Sequence, residues 1–462
     1  MKVTLAIAPW DLWEDDQDNN SIYPVGLAYL AAVLEKNNHE IGMLNLTNHK
    51  WENVKQKVID HAKKEKPDIL GIGILTNSRT SAKKLIQTVK EHSPNTIVVA
   101  GGIHTTYLYE QILNHYKVDF AVLGEAEETF VELLDFIKQK RPIEDFKQIK
   151  GIVFKHKGEL IKTENRQRIK DLDSLPFPKH ELFREAIEYS KTAYIMTSRG
   201  CPFTCDFCPS TAFWGFNLKQ RSIDNIITEI KHLVKEFPDL EILYFVDDEF
   251  ICNNQRVLKL SKRMIEEKFN LKWICLGRAS SVLDEEVIIW MKKAGCTDII
   301  FGIESGSQRI LDNISKKIKV HQVVQSFTLC KKHGINPRFL SIVGLPGETA
   351  ESVNETIALA KQLRVNTEPA ILIVFPGTAI YEEAKRRGLL TEEYWLGEGL
   401  CPLFTCEHPK WRLWWWSFKT GLITYYYDEN NSAFDYFHDR IIKKMVPANF
   451  VRIFKRYVTD RV

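Results

Sequence analysis

Three cysteines fall within one short stretch of the chain, Ser198-Arg199-Gly200-Cys201-Pro202-Phe203-Thr204-Cys205-Asp206-Phe207-Cys208-Pro209. Their spacing is C-x3-C-x2-C, and the apolar run at 194–197 just before them is typical of a β-strand. A tight loop after that strand would aim the three sulfurs inward at one point, which suits zinc or an iron–sulfur cluster. Structural zinc normally takes four protein ligands, and the nearest candidate for a fourth, His180, lies well upstream. The stretch therefore favours a cluster that keeps one iron free of protein ligands.

The composition is that of a globular protein built from several domains. The chain has 462 residues, of which 44% are hydrophobic and 27% charged, and this length exceeds one ordinary core. A net charge of +3 from 63 basic and 60 acidic residues does not indicate the basic surface that nucleic acid requires, so no such partner is expected. The sequence has neither a membrane-length apolar run nor a signal-peptide cleavage site. With nine cysteines, these features favour reduced thiols and a cytoplasmic location.

The first 140 residues alternate short apolar segments with amphipathic ones. Strands are predicted at 3–9, 41–46, 69–75, 96–100 and 120–123, and helices at 24–36, 51–64, 81–91, 105–115 and 129–138. This order predicts a doubly wound, Rossmann-like parallel sheet, whose ligands bind at the carboxyl ends of the strands. No G-x-G-x-x-G follows the first strand, which argues against a dinucleotide. The residues at those ends are Thr76, Asn77, Ser78, Gly101, Gly102, His104, Gly124, Glu125 and Glu127.

The alternation restarts after a Pro-containing linker at 141–188, which includes a predicted small hairpin. Strands are predicted at 194–197, 241–246, 272–276, 298–302, 337–343 and 370–375, with helices between them. Polar residues or glycines follow every strand, including Asp247-Asp248-Glu249, Arg278 and Glu304-Ser305. Acids accept hydrogen bonds from an ammonium group and from hydroxyls, and an arginine pairs with a carboxylate. Six successive strand ends therefore offer the groups of a binding site.

The cysteine stretch, with Phe207 before its last cysteine, resembles the cluster-binding motif of the radical S-adenosylmethionine (radical SAM) superfamily. Tyr23-Pro24-Val25-Gly26-Leu27, the Gly-Gly-x-His at 101–104 and the Gly-Glu-x-Glu at 124–127 resemble the cobalamin-binding domain that precedes the radical SAM domain in one class of these enzymes. The resemblance implies an α/β chain with a cobalamin-binding domain at 1–140, a linker at 141–188, a partial (β/α)6 TIM-type barrel at 189–385 and a helical, aromatic-rich segment at 386–462.

The resemblance also implies the roles of individual residues. Cys201, Cys205 and Cys208 would hold a [4Fe-4S] cluster, with the amino and carboxylate groups of S-adenosylmethionine at the open iron. The S-adenosylmethionine site would comprise Asp247 (methionine amino group), Asp248, Arg278 (carboxylate), Glu304 and Ser305 (carboxylate–ribose region) and Phe207. The cobalamin site would comprise Thr76, Asn77, Ser78, Gly101, Gly102, His104, Gly124, Glu125 and Glu127.

One departure concerns the ligand of cobalt. A family that ligates cobalamin through D-x-H-x-x-G has its histidine between the first strand and the first helix, and residues 10–23 contain none. The cobalamin-dependent radical SAM class commonly lacks that histidine, so the departure agrees with the resemblance. His104 is an alternative ligand, although a loop histidine beside two glycines more often only forms hydrogen bonds.

The C-terminal segment crowds aromatic residues together. These are Trp411, Trp414, Trp415, Trp416, Phe418, Tyr425, Tyr426, Tyr427, Phe434, Tyr436 and Phe437. They favour helices that pack over the barrel mouth, and the alternative is a lid over an apolar or peptidic substrate. Interleaved basic residues such as Lys419 and Lys443 would also permit peripheral contact with a membrane.

The function implied by the resemblance is a cobalamin-dependent C-methyltransferase. It would reductively cleave S-adenosylmethionine at the cluster, with electrons from a donor such as flavodoxin or ferredoxin, and would methylate an unactivated carbon through methylcobalamin. One alternative uses the same cofactors for oxidative cyclisation or ring rearrangement. A more distant one is a non-catalytic sensor with zinc in the cysteine loop. The sequence names neither the organic or peptidic substrate nor a catalytic acid or base.

Overall fold

The computed structural model describes residues 1–10, 23–47, 49–397 and 407–425. These residues form two compact units. The first unit takes in Met1–Leu276, Lys293–Cys296 and the described part of Val374–Pro402, and the second takes in Gly277–Lys292, Thr297–Ile373 and the described part of Leu403–Val462. Cys401, Cys406 and the aromatic and basic residues predicted beyond Tyr425 lie outside the described residues.

The first unit begins with a seven-stranded sheet. Its strands are β1 (Lys2–Ile7), β2 (Glu40–Asn45), β3 (Ile69–Gly73), β4 (Ile97–Gly101), β5 (Phe120–Val122), β6 (Ile152–His156) and β7 (Glu159–Lys162). The strand order is β2-β1-β3-β4-β5-β6-β7, and β1 to β5 are parallel to one another. The hairpin predicted in the linker is β6–β7, and it extends the sheet because β6 pairs antiparallel with β5.

Helices cover both faces of this sheet, as the doubly wound prediction requires. They are α1 (Val25–Lys36), α2 (Trp51–Glu65), α3 (Arg79–His92), α4 (Ile103–His115) and α5 (Glu127–Lys138). Side chains alternate across each strand, so Val3 and Leu5 join one core with α1 and α5, while Ala6 joins the other with α2 and α3. Both faces of the central strands are thus buried, and the carboxyl edge of the sheet is left for a ligand.

Six more parallel strands follow, three in each unit. The remaining strands are β8 (Thr192–Ile195), β9 (Ser198–Arg199), β10 (Lys219–Gln220), β11 (Ile242–Phe245), β12 (Lys272–Gly277), β13 (Cys296–Glu304), β14 (Asn336–Val343) and β15 (Thr367–Ile371). In the first unit β11 lies between β8 and β12, and in the second β14 lies between β13 and β15. The strands β9 and β10 form a separate short antiparallel ladder.

The remaining helices continue the alternation predicted from the sequence. They are α6 (Arg184–Ser190), α7 (Pro209–Trp214), α8 (Ile223–Glu236), α9 (Asn254–Glu266), α10 (Glu285–Lys293), α11 (Gln308–Asn313), α12 (Val320–Lys332), α13 (Ala350–Leu363), α14 (Ala379–Arg386) and α15 (Lys410–Tyr425). No helix within the described ranges combines the length and apolar character needed to cross a bilayer.

The strand β15 begins and ends earlier than the predicted 370–375. It contains Pro369, whose lack of an N–H is tolerated where a strand has a sheet partner on one side. The helix α15 lies along it: Ser417 Oγ donates to Pro369 O (3.1 Å), and Thr367 N donates to Thr424 Oγ1 (3.3 Å). Leu413 and Trp416 of α15 are buried, whereas Trp411, Trp414 and Trp415 are exposed. Its lid and membrane roles stay predictions.

A substitution at Gly71 tests the packing under the sheet edge. A Cβ there would lie 2.8 Å from Leu5 Cδ2 and 2.9 Å from Phe130 Cε1, whereas a Cβ at Gly26 in α1 would meet nothing within 4 Å. Gly71→Ala should cost about 1–3 kcal/mol through overpacking, and Gly26→Ala should cost nothing. Scanning calorimetry of the cofactor-free protein should show a lower Tm for Gly71→Ala alone. Equal Tm values would contradict this packing.

Candidate active site

The three cysteines occupy one loop between β9 and α7. Cys205 is buried, Cys201 and Cys208 are half-buried, and Cys208 N donates to Cys205 O at 3.1 Å. Burial raises the pKa of Cys201 to about 12 and also raises that of Cys208. Metal coordination must therefore offset the cost of forming these thiolates.

The three thiols lie close enough together to affect one another, because a charged Cys208 raises the pKa of Cys201 and a charged Cys205 raises that of Cys208. Among the described residues, no three His, Cys, Asp or Glu side chains are arranged to hold one metal ion together. A cubane cluster does not demand such convergence, because each cysteine sulfur binds a different iron. Three thiols in one short loop thus fit a [4Fe-4S] cluster.

Two predicted acids hold the start of this loop. Asp247 is 1% exposed and accepts hydrogen bonds from Thr197 Oγ1 (3.0 Å) and Ser198 Oγ. Asp248 accepts the backbone N–H of Gly200. Burial raises the pKa of both carboxyls, although Asp248 also reaches solvent. Their predicted roles toward S-adenosylmethionine stay predictions, and their present partners lie directly before Cys201.

Arg199 joins the cysteine loop to the N-terminal sheet. Its Nη1 lies 2.6 Å from Glu125 Oε1 and its Nη2 lies 2.6 Å from Glu127 Oε1, with the arginine side chain 3% exposed. Burial alone would lower the pKa of Arg199, but the two carboxylates offset this and the net pKa is raised. Glu125 also accepts the backbone N–H of Ile169 at 2.8 Å. The acids predicted from the Gly-Glu-x-Glu motif are therefore anchors of this loop.

Gly200 allows the chain to pass close beneath α7. Its φ of +95° is one that residues with a side chain rarely adopt, and a Cβ would lie 2.8 Å from Asn217 O. Arg168 fills the adjoining space, where it donates to Trp214 O (3.0 Å) and Arg199 O (3.1 Å). No residue with a side chain fits at 200 without displacing this loop.

A cavity of about 340 Å³ lies at the carboxyl edge of the N-terminal sheet. Of the predicted cobalamin residues, Gly101, Gly102, Gly124, Glu125 and Glu127 line it. Thr76, Asn77, Ser78 and His104 are not among its lining residues. On the side of the cysteine loop, the lining residues are Met196, Arg199, Phe213 and Trp214.

The floor of the cavity fits an apolar part of a cobalamin molecule. A Cβ at Gly26 or Gly124 would meet no heavy atom within 4 Å, so these glycines leave open space above the backbone. Leu27, Leu30 and Phe130 supply an apolar surface beside them. Such a concave apolar pocket with a few polar groups at its rim is typical of a cofactor site.

His104 is a fully buried residue that supports the neighbouring loop. Its Nδ1 lies 3.2 Å from Thr76 Oγ1, and its ring packs edge-on against Trp395 with centroids 5.9 Å apart. Burial lowers its pKa to about 3, so the ring is neutral. These contacts match the hydrogen-bonding interpretation better than ligation of cobalt.

The other predicted S-adenosylmethionine residues lie in the second unit. Arg278 is 4% exposed, and its Nε donates to Ser280 Oγ at 3.1 Å. Glu304 has φ +71° and pairs with Lys316 Nζ at 2.7 Å, and the absent side chain of Gly302 makes room for this pair. Ser305 Oγ lies 3.3 Å from Thr356 Oγ1 of α13.

The Gly-Leu-Pro-Gly-Glu loop of the same unit contains a buried carboxyl. Glu348 accepts the backbone N–H of Gly344, and His408 Nε2 donates to Glu348 O at 2.7 Å. Burial raises the pKa of Glu348 to about 7, although the backbone N–H groups of Gly344 and Leu345, which donate to it, oppose this shift. This group therefore titrates near neutral pH.

Comparison with known proteins agrees with both halves of the chain. A B12-binding domain model matches residues 18–134, and a radical SAM superfamily model matches residues 195–360. A Pyrococcus horikoshii protein named as an uncharacterized methyltransferase is 32% identical over 86% of this chain and 85% of its own length. The chain belongs to the cobalamin-dependent radical SAM family. It is thus a radical SAM enzyme, and its cofactors are a [4Fe-4S] cluster, S-adenosylmethionine and cobalamin.

Other similarities extend the comparison. The anaerobic magnesium-protoporphyrin IX monomethyl ester cyclase of Rubrivivax gelatinosus is 30% identical over 73% of this chain and 62% of its own length. The structure of the radical S-adenosylmethionine methyltransferase TsrM from Kitasatospora setae, with cobalamin and a [4Fe-4S] cluster bound, has a TM-score of 0.70. It is 18% identical and covers 88% of this chain and 80% of its own, so it shows the shared fold.

Family membership overturns the most distant alternative, a non-catalytic protein with zinc in the cysteine loop. The sequence motifs did not predict that Arg199, Arg168, Phe213 and Trp214 belong to the site. A signal for Arg199 was present: an arginine inside an apolar strand end requires carboxylate partners, and Gly-Glu-x-Glu offers two. The aromatic pair gave no comparable signal, because only the fold brings it to the sheet edge.

Removing Arg199 should destabilise the first unit. Arg199→Met leaves Glu125 and Glu127 buried without their cation, which should cost about 3–5 kcal/mol of unfolding free energy. Arg184→Met is the matched control, because Arg184 pairs with Glu188 and Glu236 at the surface, where ion pairs contribute little. Urea denaturation should separate the two variants. Equal losses would show that the Arg199 pairs do not hold the fold.

Glu348 should make stability depend on pH. The folded pKa of Glu348, about 7, exceeds the ordinary value of 4.5. Its contribution to the free energy of unfolding is therefore most favourable below about pH 4.5 and is lost as the pH rises through 7. Between pH 5 and pH 8, the free energy of unfolding of Glu348→Gln should therefore rise by about 2–3 kcal/mol relative to that of wild type. Glu351→Gln, on the exposed first turn of α13, should follow wild type. Parallel curves for all three proteins, measured as Tm from pH 5 to 8, would refute the raised pKa.

Proposed function

We propose that this radical SAM enzyme is a methyltransferase that acts on an unactivated carbon of an organic or peptidic substrate. The observation that carries the proposal is the continuity between the cysteine loop and the cavity. Arg199 precedes Cys201 by two positions, lines the cavity and pairs with Glu125 and Glu127. Hydrogen abstraction and methyl transfer must occur at the same carbon, and this short connection would bring the cysteine loop and the cavity to one place. The 32% identical relative named as a methyltransferase supports the same reaction class.

When bound, the cluster and S-adenosylmethionine supply the radical that removes a hydrogen atom, and cobalamin supplies the methyl group. Cys201, Cys205 and Cys208 hold the cluster as thiolates. Asp247 and Asp248 position the loop through Thr197, Ser198 and Gly200, and accept hydrogen bonds from the ammonium group of S-adenosylmethionine.

We keep Arg278, Glu304, Ser305 and Phe207 as proposed S-adenosylmethionine residues, as the family resemblance implies. The Arg278 guanidinium suits the carboxylate of the methionine part. Glu304, which pairs with Lys316, serves the ribose hydroxyls with Ser305.

The cobalamin residues divide into two groups in this proposal. Gly101, Gly102, Gly124, Glu125 and Glu127 contact the cofactor, as their position in the cavity lining supports. Thr76, Asn77, Ser78 and His104 support the loops behind them, since Thr76 and His104 are hydrogen-bonded to each other.

A low-potential electron donor such as flavodoxin or ferredoxin completes the proposed reaction. Each of the seven cysteines within the described residues is a free thiol, which supports a reducing, cytoplasmic location. The exposed face of α15, with Trp411, Trp414 and Trp415, is the feature that supports peripheral membrane contact.

One alternative keeps the same cofactors and omits methyl transfer. The 30% identical relative from Rubrivivax gelatinosus is named as a cyclase, which favours oxidative ring closure as the second candidate. Products with a new methyl carbon would separate the two reactions.

The cysteine assignment is tested by comparing Cys205→Ala with Cys252→Ala, a control outside the three-cysteine loop. After anaerobic purification with cobalamin, wild type and Cys252→Ala should contain about four irons per chain and form 5'-deoxyadenosine under reducing conditions. Cys205→Ala should lose both, because only two thiolates remain for the cluster. Retention of iron and nucleoside formation in Cys205→Ala would contradict the assignment.

The same preparations separate methylation from the alternative. S-adenosylmethionine with an isotopically labelled methyl group should transfer its label to the bound cobalamin of wild type. Bound cobalamin that stays unlabelled while 5'-deoxyadenosine forms would favour the non-methylating reaction.

A further inference from the structure

A second cavity, of about 390 Å³, adjoins the first in the same unit. The two cavities share Gly124, Glu125, Phe213 and Trp214 in their walls. Phe213 and Trp214 end the helix α7, which begins directly after Cys208. A molecule in the second cavity would therefore touch the helix that leads away from the cluster loop and the rings that border the cobalamin cavity.

Cationic side chains dominate the polar part of this second cavity. Lys162, Arg166 and Arg168 line it, and among the described residues Glu125 is the one acid in its wall. Glu125 is already paired with Arg199 and with the Ile169 N–H. Its charge is therefore shared between Arg199 and Arg168, whose Nε lies 4.0 Å from Glu125 Oε2, and no such ion pair joins it to Lys162.

The three cations differ in their partners. Arg166 pairs with Glu132 and Glu128, and Arg168 donates to the carbonyls of Trp214 and Arg199. Lys162 pairs with no carboxylate among the described residues, and its ammonium lies 4.7 Å from the centre of the Tyr109 ring. A cation–π contact leaves ammonium hydrogens for an anionic acceptor. Lys162 is thus the cation that a ligand would pair with.

Four aromatic rings also line this cavity, and neighbouring groups fix two of them. The Tyr107 ring packs against Gly377, where a Cβ would lie 2.3 Å from Tyr107 Cε1. Trp214 lies 4.8 Å from the Arg168 guanidinium and 4.7 Å from the Phe213 ring. Rigid rings present a flat apolar surface at low entropic cost, which suits a planar ligand.

We propose that this second cavity binds the anionic end of the substrate, which is a planar organic molecule carrying a phosphate or a carboxylate. Lys162 donates charge-assisted hydrogen bonds to the oxyanion, and Tyr107, Tyr109 and Trp214 contact the planar group. This inference rests on the proposed function and adds the chemical class of the substrate. It assigns Lys162 to substrate binding, away from the reacting carbon.

Small probes test the class. Anaerobic calorimetry on the holoenzyme would compare phenyl phosphate, benzoate, the neutral benzamide and inorganic phosphate. The two aromatic anions should bind about tenfold more tightly than benzamide, since a charge-assisted bond is lost in the neutral compound. They should also bind more tightly than inorganic phosphate, which lacks a ring. The stronger of the two aromatic anions identifies the oxyanion that the cavity prefers.

Two lysine variants provide the matched comparison. Lys162 and Lys155 are exposed and lie on the two strands of the β6–β7 hairpin, but only Lys162 lines the cavity. Lys162→Gln should weaken phenyl phosphate binding about tenfold, whereas Lys155→Gln should leave it unchanged. Equal affinities of the two variants would overturn the assignment. So would benzamide binding as tightly as benzoate, inorganic phosphate binding as tightly as phenyl phosphate, or no probe binding at all.

Cobalamin-free protein provides a further comparison. If phenyl phosphate binds that form but not the cobalamin-loaded form, the cavity belongs to cobalamin and the proposal fails. Assays of 5'-deoxyadenosine and of the methyl label on the same samples distinguish failure of the proposed substrate class from failure of the proposed function. Nucleoside formation without probe binding would refute the substrate class alone, and probe binding by holoenzyme whose cobalamin takes up no labelled methyl group would refute the methyl-transfer function alone.

Discussion

The arrangement of the active site depends on one buried arginine and its two carboxylates. Arg199 lies at the end of a strand that leads into the cysteine loop, and Glu125 and Glu127 lie at the carboxyl edge of the cobalamin-binding sheet. Three charges leave water together when this contact forms, so each requires its partner. The guanidinium bridges the two carboxylates, because each of its terminal nitrogens donates to a different one. The cluster loop is thereby positioned against the sheet edge where the cofactor cavity opens.

A second buried polar network supports the same loop from behind. It runs through hydrogen bonds and ion pairs that join Asp247, Thr197, Arg256, Arg221, Glu229, His180 and Tyr23. His180 and Glu229 are fully buried, and Tyr23 also accepts the backbone N–H of Tyr194. An apolar core would supply as much stability, so we interpret this network as a device that fixes relative position. It connects the entry to α1 with the residues that precede Cys201.

The sequence predicted the elements whose signals are local. The C-x3-C-x2-C stretch and the alternation of apolar and amphipathic segments identified the cluster loop and the doubly wound sheet, because both depend on residues close together in the chain. The β6–β7 hairpin was also predicted, but its pairing with β5 was not, since periodicity does not specify sheet partners. The early start of β15 was missed because Thr367 and Pro369 do not have the apolar character of a typical strand, and contacts with α15 hold them in place.

The site itself was less predictable, because its contacts join distant parts of the chain. Glu125 and Glu127 were predicted at the correct sheet edge. Their partner Arg199, however, follows them by 74 and 72 residues in the chain. His104 lies in the Gly-Gly-x-His motif, which made it a candidate ligand of cobalt. Thr76 and Trp395 enclose its ring, so its role is structural. Charge balance around each buried ion is the physical rule that would have connected these residues.

Because Arg199 ties the cysteine loop to the wall of the cavity, a cluster in the loop and a cobalamin in the cavity would lie close together at one fixed separation. Electron paramagnetic resonance tests it most directly, because cobalamin in its Co(II) state and the reduced cluster each carry an unpaired electron. The wild-type holoenzyme should give a spectrum split by magnetic interaction between the two centres. Two independent, unsplit signals from protein that contains both cofactors would contradict the account.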